Sequence, residues 1–216
     1  NSGAATLGAT TGAHGFAIID GSEGSASWTA GSLTIGDAGS GFVLVQNGGK
    51  LNVGVEGDGT ITLGANSGAD SLSGGTLVIG ADPWDEESEG APAAGGIVNA
   101  AVVTTGTSHG NLVFNTDTSR EAPYYFTKDG TADGAAVTIS GNTQVQFISG
   151  YNVLKGQHDY TGATQIAGGT LAFANDGALP ASSKLWISDG ASLLVNFDQT
   201  IAGILNWVAT EASIVI

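Results

Sequence analysis

The sequence predicts an all-β chain wound as a parallel β-helix, a single unit over residues 1 to 216 with about nine coils. Three observations lead there. Leu171 and Phe173 recur as Leu193 and Val195, an offset of 22 residues both times. That is too long for a hairpin register and falls where a repeated unit can bury its apolar face only against a stacked neighbour. Glycine accounts for 36 residues without the triplet of collagen, and the remainder is rich in Thr, Ser, Val, Ile and Leu, the residues of strands and turns. Long runs of helix formers are absent, and Pro83, Pro92, Pro123 and Pro180 stand in loop-like contexts where a missing N–H does little harm.

In chain order, Phe16 to Ile19 is a short strand closed by Asp20-Gly21, followed by a lone Trp28. From Gly31 the pattern sharpens into Gly-Ser-Leu-Thr-Ile-Gly (31 to 36), Phe-Val-Leu-Val (42 to 45) and Asn-Gly-Gly-Lys-Leu-Asn-Val (47 to 53). A second copy follows at 59 to 64, 70 to 72 and 73 to 79. Overlaying them pairs Leu33 with Ile61 and Ile35 with Leu63, and, further on, Gly49 with Gly75, Leu51 with Leu77 and Val53 with Ile79. Alternation then turns Thr34, Asn52 and Thr62 outward.

Residues 81 to 96 interrupt the ladder with an acidic, two-proline loop expected to protrude, and residues 115 to 136 form a second loop around Pro123-Tyr124-Tyr125-Phe126. Strands resume at 97 to 104, 111 to 114, 136 to 139 and 144 to 148, and the repeat of residues 160 to 205 completes the pattern. Trp28, Trp186 and Trp207 lie in strand-like runs and are expected to be structural. At about 24 residues per coil and a strand spacing of about 4.8 Å, the rod is expected to reach about 40 to 45 Å.

Twenty acids against five bases give a formal charge of −15, and Lys50 is the sole base before residue 100. Such a field repels phosphate backbones and anionic lipid, so no nucleic-acid partner is expected. The chain has no cysteine, hence no disulfide and no thiolate metal site. An exported chain that crosses an oxidising periplasm unfolded gains from that lack. No apolar run is long enough for a membrane helix, and Asn1 reads as the cut end of a longer product.

Tyr160-Thr-Gly-Ala-Thr-Gln-Ile-Ala-Gly-Gly-Thr-Leu-Ala-Phe, Gly177-Ala-Leu-Pro-Ala-Ser-Ser, Asp189-Gly-Ala-Ser-Leu-Leu-Val-Asn-Phe and Gln199-Thr-Ile-Ala-Gly-Ile together resemble the passenger-associated transport repeat of bacterial autotransporters. The Gly-Gly-x-Leu turns of the first half are more loosely similar to self-associating and adhesive passengers. The resemblance implies a right-handed β-helical passenger, secreted through the outer membrane and displayed at the cell surface. It also implies a covalently linked β-barrel translocator in the full-length protein, a barrel whose strands this sequence does not contain. The repeat carries no catalytic residues to transfer.

Chemistry finds little purchase. Gly36-Asp37-Ala38-Gly39-Ser40 approaches the setting of a serine-protease nucleophile but places Ala38 at the serine position, and it reads as a turn between coils. His14, His109 and His158 form no metal-ligand spacing and read as exposed or singly hydrogen-bonded loop residues. Neither a calcium repeat nor a phosphate cradle is present, and no cofactor or metal is expected; Asp82, Asp85, Glu86, Glu87 and Glu89 could together hold Ca²⁺, but a solvated acidic loop is the favoured reading. Binding residues are sought in the two loops. Candidates are Trp84, Asp85, Glu86, Glu87 and Glu89 in the first, and Tyr124, Tyr125 and Phe126 in the second; the aromatic rings could stack on sugar rings or anchor a protein, although the reading that they fold back to cover the rod carries more weight.

The expected function is a non-enzymatic surface passenger, an adhesin or self-association stalk. Its partners are a host cell-surface or matrix protein or glycan, or other cells of its own kind. The alternatives are a β-helical carbohydrate-active enzyme, disfavoured by the scarcity of Lys and Arg to hold an anionic transition state, and an inert spacer.

Overall fold

The computed structural model describes residues 2–66, 73–200, 203–206 and 213–215. The strand piece expected at 70 to 72, Trp207 and Ile216 lie outside the described residues. Among the described residues the chain forms a parallel β-helix of three sheets with eight, seven and five strands.

The eight-stranded sheet takes one strand from each coil: His14–Asp20, Ser40–Gln46, Gly74–Gly80, His109–Asn115, Gln144–Ser149, Thr164–Ile166, Lys184–Ile187 and Gly203–Asn206, every neighbour parallel. Ser2–Leu7 adds a strand from the coil before, lying against Ser27–Ile35. That nine-residue strand forks. Its first half pairs with Lys50–Val53 and on to Ile97–Asn99, and its second half with Thr60–Leu63, Val102–Thr105 and Thr138–Ile139. A 3-10 turn, Val55–Gly57, separates the two arms of the fork. The five-stranded sheet begins one coil after Ile97–Asn99, with Tyr124–Phe126, and continues through Tyr151–Leu154, Thr170–Phe173, Ser192–Leu194 and Ser213–Val215.

Coil length is not uniform. Successive partners in the eight-stranded sheet are His14, Ser40, Gly74 and His109 in the first half, but Val145, Thr164 and Leu185 in the second. The long coils carry the forked side and the loops; the short ones carry two strands and tight turns.

Each strand places every second side chain inward, and parallel register stacks these into columns. One runs Val45, Ile79, Phe114, Phe147, Ile166 and Ile187, all buried, each side chain contributing about 1.5–3 kcal/mol by burial. Where the third side changes from one sheet to the other, aromatic side chains fill the interior. Phe114 stacks on Phe147 at 4.8 Å between centroids and meets Phe126 edge-on at 5.3 Å.

Two kinds of glycine hold the corners. Gly36 has φ 72 and sits where a Cβ would collide with the Gly74 carbonyl oxygen of the next coil. Gly75 lacks positive φ, but a Cβ there would strike the Ile35 carbonyl oxygen; only glycine allows the backbones this close. Gly36 to Ser40 is accordingly a corner between coils.

Buried polar groups are mostly paired, as low dielectric requires. Tyr160 Oη is 2.7 Å from Thr164 Oγ1, which in turn lies 2.8 Å from Ser183 Oγ of the following coil. The Tyr-Thr-Gly-Ala-Thr opening of the repeat is thus a core device, and burial pushes the Tyr160 hydroxyl up to about 12. His158 is buried rather than exposed, a singly hydrogen-bonded loop residue, which is the second of the two readings the sequence allows. Its Nδ1 accepts the Ile139 N–H at 3.1 Å, while Nε2 is buried with no partner among the described residues.

The pairs Leu33–Ile61, Ile35–Leu63 and Leu171–Leu193 stand as the sequence predicts. The overlay of Leu51 on Leu77 and Val53 on Ile79 does not: Leu51 faces Trp28 and Val98, whereas Leu77 faces Val43 and Leu112. Lys50–Val53 and Gly74–Gly80 lie in different sheets. The Gly-Gly-x-Leu signature marks any glycine corner followed by an inward residue, so it recurs on more than one side of the rod.

Candidate functional site

The acidic loop is built from consecutive turns. Asp82 Oδ1 accepts the Trp84 N–H at 2.9 Å and Asp85 Oδ1 the Glu87 N–H at 3.1 Å, a local competition with extended backbone that Asp side chains favour. Glu89, with φ 52, and Gly90, with φ 67, then turn the chain back. Trp84 through Glu89 are exposed, Trp84 by 57%.

Asn115 fastens this loop to the rod. Its buried Nδ2 donates to the carbonyl oxygens of Ala81 (3.1 Å) and Gly90 (3.0 Å), and its own carbonyl oxygen accepts the Ala81 N–H (3.0 Å). Its Oδ1 accepts from Ser149 Oγ at 2.7 Å in the next coil. Ala93 bridges to Thr116 beyond it. Asn115 escapes the sequence reading, though an Asn directly after the apolar Leu112-Val-Phe run is the signal, since a buried amide there needs several partners.

The loop walls a groove of about 510 Å³ whose floor is the outward face of the first strands, with Phe16, Ile18 and Leu44 opposite Asp82, Asp85, Ser88, Ala91 and Ala93. Phe16 and Ile18 remain 60% and 53% exposed. Phe16 stacks on Phe42 at 5.1 Å. Leu44, Val78 and Val113 continue the apolar face as a cluster outside the main core. Beside the groove-lining Gln46 and Asn47, Asp20 accepts from the Ser22 N–H (2.8 Å), the Gln46 amide (2.9 Å) and the Asn47 amide (3.0 Å). These donors, the Ser22 N–H foremost, pull its carboxyl down to about 2. Phe16, Ile18 and Leu44 are absent from the sequence-stated site. Their signal is parity: Phe16-Ala-Ile-Ile and Phe42-Val-Leu-Val are apolar at successive positions, so both faces of these strands are apolar.

The structure separates the other site candidates. Tyr124 and Phe126 belong to the core: their strand opens the five-stranded sheet, and Tyr124 Oη donates to the Gly96 carbonyl at 2.8 Å. Desolvation raises the Tyr124 hydroxyl far above its ordinary value. Such enclosed rings cannot stack on an external ligand; the run Tyr-Tyr-Phe alternates, and its two end residues point inward. Tyr125 alone is outward. It lines a separate depression of about 300 Å³ with Arg120, Pro123 and Tyr151. Trp186 is also outward, between buried Leu185 and Ile187, rather than structural, and borders a small hollow with Gln144, Gln146 and Gln165. Among the described residues no three His, Cys, Asp or Glu side chains gather in a way that could hold a metal ion.

Compared with known proteins, the chain is similar to the adhesin BmaC autotransporter of Brucella suis biovar 1 (strain 1330), 38% identical over 80 residues. The match takes in 34% of this chain and 2% of the length of that relative. No protein-family model matches, and no solved structure matches.

Proposed function

We propose that the chain is a segment of a non-enzymatic autotransporter passenger, held at the bacterial surface beyond the outer membrane, and that it works by adhesion. The observation that carries this reading is the local similarity to an autotransporter adhesin in a chain folded as a parallel β-helix. The fold suits the role: coils touch mainly their neighbours and side chains repeat along the axis, giving a long surface on which loops such as 81 to 96 are presented. Its partners are a matrix or cell-surface protein or glycan of a host, or the same protein on another cell, and a linked β-barrel translocator completes the full-length protein.

The test is display. A non-adherent bacterial strain carrying the chain fused to an autotransporter barrel is compared with one carrying the barrel alone, for attachment to immobilised matrix proteins, attachment to host cells, and settling of the culture. Increased attachment or settling is expected. Equal behaviour of the two strains in all three assays would sink the adhesive reading and leave a passive spacer.

A further inference from the structure

The groove under the acidic loop combines an apolar floor with a carboxylate wall, and we propose that it takes a basic, apolar-bearing, extended peptide segment of a partner protein. The inference rests on the adhesive reading above and assigns the chemistry of the partner.

The floor is shaped for alternating side chains. Phe16 and Ile18 are two residues apart on one face of a strand, and in the neighbouring strand Phe42 and Leu44 stand beside them in register. Exposure of two large apolar side chains this close together marks a contact surface. The wall supplies charge. Asp82 and Asp85 each commit Oδ1 to a backbone N–H, and among the described residues neither Oδ2 has a hydrogen-bond partner. Asp20, bonded to the groove-lining Gln46 and Asn47, adds a further carboxylate beside the groove. Among the described residues no Lys or Arg lines the groove.

An extended segment fits both surfaces. Its alternate side chains settle on Phe16, Ile18 and Leu44, and the intervening Arg or Lys side chains reach Asp82 and Asp85. Charge excludes the competing occupants. A second copy of this chain brings −15 with only five Lys and Arg, and an anionic lipid surface or a nucleic acid meets the carboxylates with like charge.

The probe is a fluorescein-labelled peptide of alternating Arg and Leu, titrated with the full chain and read by anisotropy. Saturable binding is expected, weakened severalfold by raising salt from about 50 to about 500 mM. Asp82→Asn with Asp85→Asn, which keeps both turn acceptors, is expected to weaken it about tenfold. Phe16→Ser with Ile18→Ser should do the same. Both pairs are at the surface, and circular dichroism checks that they fold; Asp133→Asn on a distant loop should change nothing. Affinity unchanged from wild type in either double variant overturns the proposal. So does equal binding of a Glu-Leu peptide, or of a Lys-Ser peptide, which would mean charge capture without the floor. Sedimentation showing self-association abolished by Phe16→Ser would assign the groove to a second copy instead. Peptide failure with adhesion intact removes this inference alone; peptide binding without any adhesion removes the functional reading and leaves the groove.

Discussion

His158 makes the stability of the second half of the rod depend on pH in a calculable way. Its Nδ1 accepts the Ile139 N–H and its Nε2 is buried without a partner among the described residues, so protonation would break the one bond and put an unpaired charge in the core. Burial therefore lowers its pKa to about 4 from the ordinary 6.5. Between those values the unfolded chain binds a proton that the folded chain refuses, so stability falls as pH drops from about 6.5 to about 4 and is flat on either side. At about 1.4 kcal/mol per unit the full loss is about 3 kcal/mol, of which about 2 has appeared by pH 4.5. The comparison is urea unfolding at pH 7 and about pH 4.5 for wild type and His158→Asn, whose Oδ1 can replace Nδ1 as acceptor but does not titrate. Carboxylates contribute equally to both proteins, so wild type should lose about 2 kcal/mol more than the variant. In a solenoid this loss belongs to the cooperative block holding His158, and exchange of the Ile139 amide reads it locally. Equal losses in the two proteins, or a His158 ring titrating near its ordinary value by NMR, would refute the reasoning.

Three further outcomes are expected. Phe114→Ala should cost about 3–5 kcal/mol, and a double-mutant cycle with Phe147→Ala should show a coupling of about 1 kcal/mol for the stacked pair; an effect below 1 kcal/mol in denaturant unfolding would contradict the packing described. Gly36→Ala should cost about 2 kcal/mol or more, because both the positive φ and the Gly74 carbonyl oppose a Cβ, and an unchanged midpoint would show that the corner relaxes freely. Asn115→Leu strands the Ala81 and Gly90 carbonyls, at about 1–3 kcal/mol for each group left unpaired. Limited proteolysis should then cut residues 81 to 96 faster than in wild type while the far coils stay protected, and an unaltered cleavage rate would count against Asn115 as the fastening.

The fold was legible because β-helices repeat their chemistry. Leu171 and Leu193 carry the same offset in sequence and in space, since short coils without insertions keep count. The long coils hide their register. Leu51 and Leu77 share a motif but stand in different sheets, because the forked side inserts a second strand between corners. The candidate site was legible only in part. The acids and Trp84 announced an exposed loop by composition, but the groove needs Phe16 and Ile18, some 65 residues upstream of Asp82 in the sequence, and only coiling brings them together. Tyr124 and Phe126 fold back into the rod, the weightier of the two sequence readings, but which rings would do so was hidden because a three-residue strand inside an irregular stretch offers too few residues for alternation to be recognised.

The uneven rungs give the rod a mechanical direction. Strands run across the axis and their hydrogen bonds along it, so tension applied end to end falls directly on the ladders between coils. His14–Asp20, Ser40–Gln46, Gly74–Gly80 and His109–Asn115 are joined by six or seven residue pairs at each step, whereas Thr164–Ile166 is held by three on either side. Under a pull the short coils give way first and lengthen as a tether, and the block bearing the acidic loop stays folded at its end. Force spectroscopy should record the first ruptures beyond residue 144, and rupture beginning near residue 14 would contradict that order.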